Sequence, residues 1–201
     1  MEDARAATIL EELRHSTRSE HERLERSLDL LALPADREHF IAVLRGFLSF
    51  HQAFEPAIAR HAELASFMPA RSRIPHIRAD LSALGADFDL DDVPPICLEA
   101  ETCGRSVSEA WGAAYVIEGS TLGGQVITRN LAGTKWLPPG GLRTFHPYGH
   151  ETGRMWNEFR TRLVTASTSL DAPRIVAGAV QTFAFLADWL PTRSSNVRSH
   201  A

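Results

Sequence analysis

The stretch Tyr115-Val-Ile-Glu-Gly-Ser-Thr-Leu-Gly-Gly-Gln125 places three glycines in six positions of a helical pattern. The pattern begins at a capping box, Ser106-Val-Ser-Glu109, and continues to Ile127. Glycine inside a helix costs about 0.5–1 kcal/mol relative to alanine, so the three glycines need a reason. Gly119 and Gly123 share one helix face, where bare backbone can contact a second helix or a flat ligand. The glycines also favour a bend in this helix.

An earlier segment, Thr17-Arg-Ser-Glu-His21-Glu-Arg-Leu-Glu25, places a histidine and a carboxylate four residues apart on one helix face. A neutral imidazole offers one lone pair to iron, and a carboxylate on its other nitrogen fixes the orientation of the ring. The same spacing also occurs in ordinary surface pairs of helices. A histidine on one helix and exposed glycine backbone on another are, together, what binding of haem between two helices requires.

Helical spacing of apolar residues continues along the whole chain, and no strand pattern or internal repeat is visible. Proline, glycine and N-cap residues set the expected limits of each element. The pattern predicts helices at 4–31, from the N-cap Asp36 to about Leu64, at 74–84, from 107 past Ile127, at 148–168, and from Asp171 to a stop at Pro191, with loops at 85–95 and 133–141. We therefore expect one all-α domain over residues 1–201, with its core at about 8–190 and a frayed polar tail at 192–201.

The overall composition excludes several classes of protein. The net charge of -4 argues against a nucleic-acid binder. Two cysteines without CxxC spacing, Cys97 and Cys103, suggest free thiols in a reducing compartment. The chain has no apolar run of membrane-spanning length and no signal-like start. We expect a cytoplasmic protein without a membrane or nucleic-acid partner.

Together, the two segments resemble the haem oxygenase family. Thr17-x-x-x-His21-x-x-x-Glu25 is similar to the signature of its proximal helix, and Gly119-Ser-Thr-Leu-Gly123-Gly124-Gln125 to that of its distal helix. The amino-acid sequence of the second segment is most similar to the bacterial branch of the family, which includes the haem oxygenases that accompany bacteriophytochromes. The likeness in helix count and order covers about residues 8–190, and implies a helical bundle with haem between a proximal helix and a kinked distal helix.

The resemblance implies a role for each matching residue. His21 matches the iron ligand, and Glu25 matches the carboxylate that binds its second nitrogen. Thr17 belongs to the same proximal signature. Gly119 and Gly123 match the glycines that lie over the distal face of the haem.

Four further positions match residues at the edge of the haem in this family. Arg14 matches a basic residue near a propionate, and Tyr115 matches a tyrosine at the same edge. Arg160 matches the arginine that grips a propionate, and a guanidinium suits this role because it binds carboxylates in a fork. Phe183 matches an aromatic residue that lines the pocket.

Two positions depart from the family pattern. Ser120 stands where many members carry an aspartate that orders the distal waters, which leaves the route of proton delivery open. Trp156 stands one turn before Arg160, where some relatives are basic, which leaves open which meso carbon is attacked.

The activity that the resemblance implies is oxidative cleavage of haem to biliverdin, carbon monoxide and free iron, with O2 and electrons from a separate ferredoxin or reductase. Haem is then both substrate and cofactor. The biliverdin product could serve a bacteriophytochrome as its chromophore, and iron acquisition is the alternative purpose.

Other interpretations of the sequence stay open. The protein could carry or sense haem without turnover. A di-iron helical protein would use carboxylates and histidines on facing helices, and Glu20-His21, His51 with Glu55, and Glu118 supply some of these. His51 also flanks an apolar face, where we expect a core or boundary residue. A purely structural helical module is the remaining alternative.

Overall fold

The computed structural model describes residues 2–28, 30, 36–86, 100 and 102–198, with backbone alone for residues 2–8 and 191–198. The described residues contain helices and turns but no strand, which confirms the all-α prediction. The helices are α1 (Glu2–Leu28), α2 (Arg37–Ala59), α3 (Ala62–Ala65), α4 (Ile74–Ala83), α5 (Val107–Leu131), α6 (Thr152–Ser167) and α7 (Ala172–Arg198), with single 3-10 turns at Pro69–Arg71 and Gly149–Glu151.

Two predicted N-caps are confirmed at the atomic level. The Asp36 carboxylate accepts hydrogen bonds from the backbone N–H groups of Glu38 and His39 at 2.8 and 3.0 Å. Ser106 Oγ accepts from the N–H of Glu109 at 3.2 Å, and the Glu109 carboxylate accepts from the N–H of Ser106 at 2.8 Å. Each cap satisfies backbone donors that the first helical turn leaves free.

The predicted end of the second helix at Leu64 is wrong, because α2 ends at Ala59 and α3 is separate. At the break, Arg60 Nη2 donates to the carbonyl oxygen of Gly104 at 2.8 Å, and His61 Nε2 lies 2.7 Å from the same oxygen. These contacts with a distant part of the chain hold the residues that leave α2.

The predicted stop at Pro191 is also wrong, because α7 continues to Arg198 through the segment expected to be frayed. Proline removes one backbone donor from a helix without forbidding helical backbone, and α2 likewise contains Pro56. Most of the predicted loop at 85–95 lies outside the described residues. That residues 1–201 form one domain stays a prediction.

α7 packs against α1, α2 and α5, and so sets the spacing between the first helix and the glycine-containing one. Two glycines make the contact between α5 and α7 possible. A Cβ at Gly112 would lie 2.1 Å from the carbonyl oxygen of Ile175, and one at Gly178 would lie 2.4 Å from that of Glu109. The close approach holds α5 in place, while its glycine-rich second half extends beyond this contact.

The segment between α5 and α6 is held to α4 by one buried carboxylate. Asp80 accepts hydrogen bonds from the backbone N–H groups of Arg143 and Thr144 at 3.1 and 2.8 Å, and from the Thr144 hydroxyl at 2.8 Å. The next residue, Phe145, is buried in the core. Asp80 therefore positions a loop that reaches the space between α1 and α5.

Candidate functional site

A cavity of about 650 Å³ lies between α1 and the glycine-containing half of α5. Its volume is in the range of sites for cofactor-sized ligands. Residues of α2 and α7 and the loop after α5 complete its walls. The sequence-predicted residues that line it are Arg14, Thr17, His21, Glu25, Tyr115, Gly119, Ser120, Gly123 and Phe183.

The α1 wall presents a histidine that no strong protein contact holds. His21 Nε2 lies 3.8 Å from Glu25 Oε1, beyond hydrogen-bond distance, and both side chains are about half exposed, at 47% and 60%. The ring of Phe183 meets the His21 ring edge-on, with centroids 5.3 Å apart. Thr17 is buried and its hydroxyl donates to the carbonyl oxygen of Leu13 at 2.7 Å. The imidazole is thus positioned by an aromatic contact, with its lone pair available to a ligand.

On the α5 wall, the glycines differ in whether they pack against other parts of the protein or face the cavity. A Cβ at Gly123 would meet no atom within 4 Å, and one at Gly119 would meet only the Trp156 ring at 3.9 Å. A Cβ at Gly124 would lie 2.1 Å from the carbonyl oxygen of Phe145. Gly124 is therefore a packing glycine, whereas Gly119 and Gly123 expose backbone to the cavity. α5 is helical across all three, and a bend there stays a prediction.

Cationic and aromatic side chains lie at one edge of the cavity. Arg14 lines it from α1 and Tyr115 from α5, while Trp156 of α6 packs on Tyr115 with ring centroids 5.8 Å apart. Arg160 is exposed and does not line the cavity, but its charge acts on Tyr115. Burial raises the pKa of Tyr115, and the charges of Arg14 and Arg160 oppose that rise.

Ser120 lines the cavity, but its hydroxyl proton is donated to a hydrogen bond within its own helix. Ser120 Oγ donates to the carbonyl oxygen of Ile117 in its own helix at 2.7 Å. The oxygen can still accept a hydrogen bond, but a hydroxyl has only one proton to donate. In this arrangement Ser120 does not supply a donor to the cavity.

A buried polar wall of the cavity is formed by His51, Glu55 and Arg73. The sequence placed His51 in the core or at its boundary and paired it with Glu55 only for the di-iron alternative, so its position beside the cavity was not predicted. His51 and Arg73 line the cavity. His51 Nδ1 lies 2.9 Å from Glu55 Oε1, which also accepts the backbone N–H of Arg73 at 2.7 Å. The signal was present, because His51 and Glu55 have the same i, i+4 spacing as His21 and Glu25.

Burial and pairing act in opposite directions on the groups of this wall. Burial lowers the pKa of His51, although the hydrogen bond and charge of Glu55 oppose the change. Burial alone would raise the pKa of Glu55, but hydrogen bonds from His51 and from the backbone of Arg73 bring that pKa below its usual value. Burial thus favours the neutral form of His51, while the hydrogen bonds to Glu55 favour its ionised form.

A second carboxylate anchors the polar wall to α5. Glu118, 1% exposed, accepts from Arg71, from Arg73 Nη2 at 3.2 Å and from the Tyr148 hydroxyl at 2.7 Å. The Arg73 guanidinium also lies over the Tyr148 ring, 4.4 Å from its centroid. On the other side, Arg71 Nη2 pairs with Glu158 of α6 at 3.3 Å. These contacts fix Arg73 in one orientation.

The carboxylates of the di-iron alternative are engaged elsewhere. Glu55 is bonded to His51 and to a backbone N–H, and Glu118 is bonded to two arginines. Across the part of the chain that the structure describes, no group of three or more His, Cys, Asp or Glu side chains could hold a metal ion. Within the same part, no helix is both long and apolar enough to cross a membrane.

Comparison with known proteins agrees with this geometry. A family model described as Heme oxygenase matches residues 7–192. A protein named Heme oxygenase from Xanthomonas campestris pv. campestris (strain 8004) is 37% identical over 120 residues, which span 57% of this chain and 64% of that protein. The match thus spans less than two thirds of that relative.

Two solved structures share the fold. A haem oxygenase from Neisseria meningitidis, determined with NO and CO bound, superposes with a TM-score of 0.72 at 23% identity, over 93% of this chain and 92% of that one. A haem oxygenase from Leptospira interrogans gives 0.74 at 22% identity, over 93% of this chain and 98% of that one.

Proposed function

Because this chain belongs to the haem oxygenase family, we propose that it binds haem in the cavity between α1 and α5 and cleaves it oxidatively to biliverdin, carbon monoxide and iron. The observation that carries this proposal is the pairing of an available histidine with bare glycine backbone across a single cavity of suitable volume. A protein that carries haem without cleaving it would need the same two walls. A measurement of haem turnover distinguishes the enzyme from the carrier.

The residues of the cavity fit a porphyrin. Its lining is largely apolar, with Leu24, Leu28, Phe145 and Ile127 among its walls, which suits the faces of a macrocycle. Gly119 and Gly123 leave space in the cavity that the side chain of any other residue at these positions would occupy. Arg14 at one edge suits a carboxylate of the ligand, since arginine binds carboxylates in a fork.

On the α1 side, His21 would hold the iron through one ring nitrogen. Glu25 is near enough to hold the other nitrogen after a small change of side-chain torsion, which would fix the ring and raise its basicity. Phe183 limits rotation of the ring by its edge-on contact. Thr17 supports the same face of α1 from a buried position.

On the α5 side, Gly119 and Gly123 would leave room for O2 between the helix backbone and the bound ligand. Ser120 can accept but not donate a hydrogen bond while its proton is used within α5. Arg14, Tyr115 and Arg160 would orient the carboxylates of the ligand at the edge. Bound haem would itself supply the redox chemistry, and the protein supplies orientation, exclusion of water and protons.

The proposed partners rest on the family resemblance alone. We propose a separate electron donor, a ferredoxin or a reductase, and a bacteriophytochrome as acceptor of the bilin product. A cytoplasmic location is proposed from the two cysteines without disulfide spacing.

The test of the iron ligand is His21→Ala. We expect this variant to lose the ferric absorption spectrum of an imidazole-ligated haem complex, because no other histidine takes this position on α1. His15→Ala is the matched control, since His15 is exposed on the same helix and does not line the cavity. Circular dichroism checks that both variants stay folded. An unchanged spectrum in folded His21→Ala would reassign the ligand.

A further inference from the structure

A row of aromatic rings, made of Trp156, Phe159 and Trp111, leads from the cavity toward α3. Trp156 lines the cavity, and its ring would lie 3.9 Å from a Cβ at Gly119, beside the space proposed for O2. The centroid of the Phe159 ring lies 5.8 Å from that of Trp156 and 5.8 Å from that of Trp111. Rings at such distances are in packing contact. A single phenylalanine thus separates the two indoles, a gap that an electron crosses by tunnelling.

The outer end of the row has a proton acceptor. Trp111 is 3% exposed, and its Nε1–H donates to Oε2 of Glu63 at 3.2 Å. Glu63 is exposed on α3. An indole nitrogen is a donor only, and its N–H becomes acidic when the ring loses an electron. Glu63 can therefore take the proton of an oxidised Trp111 and leave a neutral radical.

The rings at the inner end have no such acceptor. Tyr115 packs on Trp156, with ring centroids 5.8 Å apart. Among the described residues, neither the Tyr115 hydroxyl nor Trp156 Nε1 has a hydrogen-bond partner. Burial also raises the pKa of Tyr115, which favours the form that keeps its proton. An oxidising equivalent that enters the row at Trp156 is therefore most stable on Trp111.

The other two tryptophans of the chain are less well placed. Trp136 and Trp189 do not line the cavity. In the described part of the chain, their ring contacts reach the cavity lining through phenylalanines, Phe40 and Phe145 for Trp136 and three phenylalanines of α2 and α7 for Trp189. A phenylalanine ring is much harder to oxidise than an indole. Trp156 is thus the tryptophan that an oxidant in the cavity meets first.

We propose that, with haem bound, the row carries oxidising equivalents of hydrogen peroxide from the cavity to Trp111, where ascorbate in solution reduces them. The proposal rests on the proposed function, because bound haem is what reacts with the peroxide. Hydrogen peroxide forms when O2 that has taken up two electrons leaves before the reaction is complete. The row then protects the residues of the cavity from oxidation.

Electrons and protons balance over one cycle. Reduction of one hydrogen peroxide to two waters takes two electrons and two protons, and these protons enter from solvent. Trp156 passes each electron into the cavity and takes one from Trp111, whose Nε1 proton moves to Glu63. Each Trp111 radical regains that proton from Glu63 and one electron from ascorbate. Two such transfers convert one ascorbate to dehydroascorbate and return the row to its starting form.

The radical is tested by electron paramagnetic resonance. Hemin-loaded protein is mixed with hydrogen peroxide without ascorbate and is frozen rapidly. We expect a neutral tryptophan radical, whose signal narrows when the protein carries ring-deuterated tryptophan, and no signal without hemin. Trp111→Phe and Trp156→Phe are expected to lose this signal, and Trp136→Phe is the matched control that keeps it. An unchanged tryptophan signal in folded, hemin-loaded Trp111→Phe would overturn the proposal.

Glu63→Gln tests the proton acceptor without removing a buried ring, and it serves where Trp111→Phe does not fold. Glutamine still accepts a hydrogen bond from the indole but does not take its proton. We expect loss of the neutral radical and slower ascorbate-dependent removal of peroxide. Glu22→Gln, at an exposed position of α1, is the control and keeps both. Wild-type radical and wild-type peroxide removal in Glu63→Gln would contradict the proposal.

Mass spectrometry of the peptides after peroxide treatment gives a further readout. In Trp111→Phe, oxidising equivalents stay at the cavity, so we expect more oxygen added to Trp156 and Tyr115 than in the wild type. Equal oxidation of these two residues in both proteins would show that the row does not protect them.

The outcomes separate the row from the proposed function. Wild-type protein that takes up no hemin contradicts the function itself. Wild-type protein that takes up hemin and yields biliverdin, but forms no tryptophan radical with peroxide, contradicts only the row.

Discussion

At the residue scale, two adjacent glycines of α5 have opposite roles. A side chain at Gly123 would enter open space, whereas a side chain at Gly124 would overlap the carbonyl oxygen of Phe145 at 2.1 Å. We predict that Gly123→Ala stabilises the hemin-free protein by about 0.5–1 kcal/mol, the gain in helix propensity. We predict that Gly124→Ala destabilises it by about 1–3 kcal/mol through overpacking. Chemical denaturation of both variants measures the difference.

The same site links stability to function through a larger side chain. Gly123→Val should fold without hemin but should block turnover, because the isopropyl group fills the space proposed for O2. Normal turnover by Gly123→Val, or equal stabilities of the two alanine variants, would mean that Gly123 is not a cavity glycine.

The sequence alone could not show which glycines pack against another helix or loop and which line the cavity, because their spacing fits both roles. The division depends on the position of Phe145, which is far along the chain and is brought to Gly124 by the fold. The place of His51 in the cavity wall was not predicted for a similar reason. The apolar face beside it predicted a core or boundary residue, but only the structure shows that its pair with Glu55 lies beside the cavity.

At the element scale, Glu118 joins α5 to the segment before α4 and to the loop before α6. Its carboxylate is buried against Arg71, Arg73 and Tyr148. We predict that Glu118→Ala lowers the free energy of unfolding by roughly 3–5 kcal/mol, because two buried guanidinium groups lose the carboxylate that they share. Urea denaturation, monitored by circular dichroism, measures the loss.

The matched control is Glu22→Ala on α1, which removes an i, i+4 pair with Arg18 at the surface. Exposed pairs contribute little, so we expect no measurable change. Similar losses in the two variants would show that the Glu118 cluster does not hold the elements together.

Helix starts were predicted well because their signals are local. Asp36 and Ser106 cap helices with their own side chains, and both caps are found as expected. Helix ends were predicted less well. α2 stops at Ala59 where Arg60 and His61 turn to Gly104, a contact between distant residues that no local pattern reveals.

At the scale of the whole molecule, helical periodicity predicted the all-α fold, and two motifs predicted which helices would line the candidate site. α7 brings the two motif helices together through contacts with both, including the glycine contact at Gly112. Arg160 does not line the cavity, although its charge acts on Tyr115 there, and its role at a carboxylate of the ligand stays a prediction. The loop after α5 contributes Thr144 and Phe145 to the cavity, and it is held there by long-range hydrogen bonds to Asp80, which the sequence did not predict.

The most direct measurement mixes the purified protein with an equimolar amount of hemin and records the absorption spectrum before and after a reductant is added in air. The account predicts a one-to-one ferric complex with a histidine-ligated spectrum, followed by loss of the haem bands and the appearance of biliverdin. Failure to take up hemin at equimolar concentration, or a stable complex that yields no biliverdin, would contradict it.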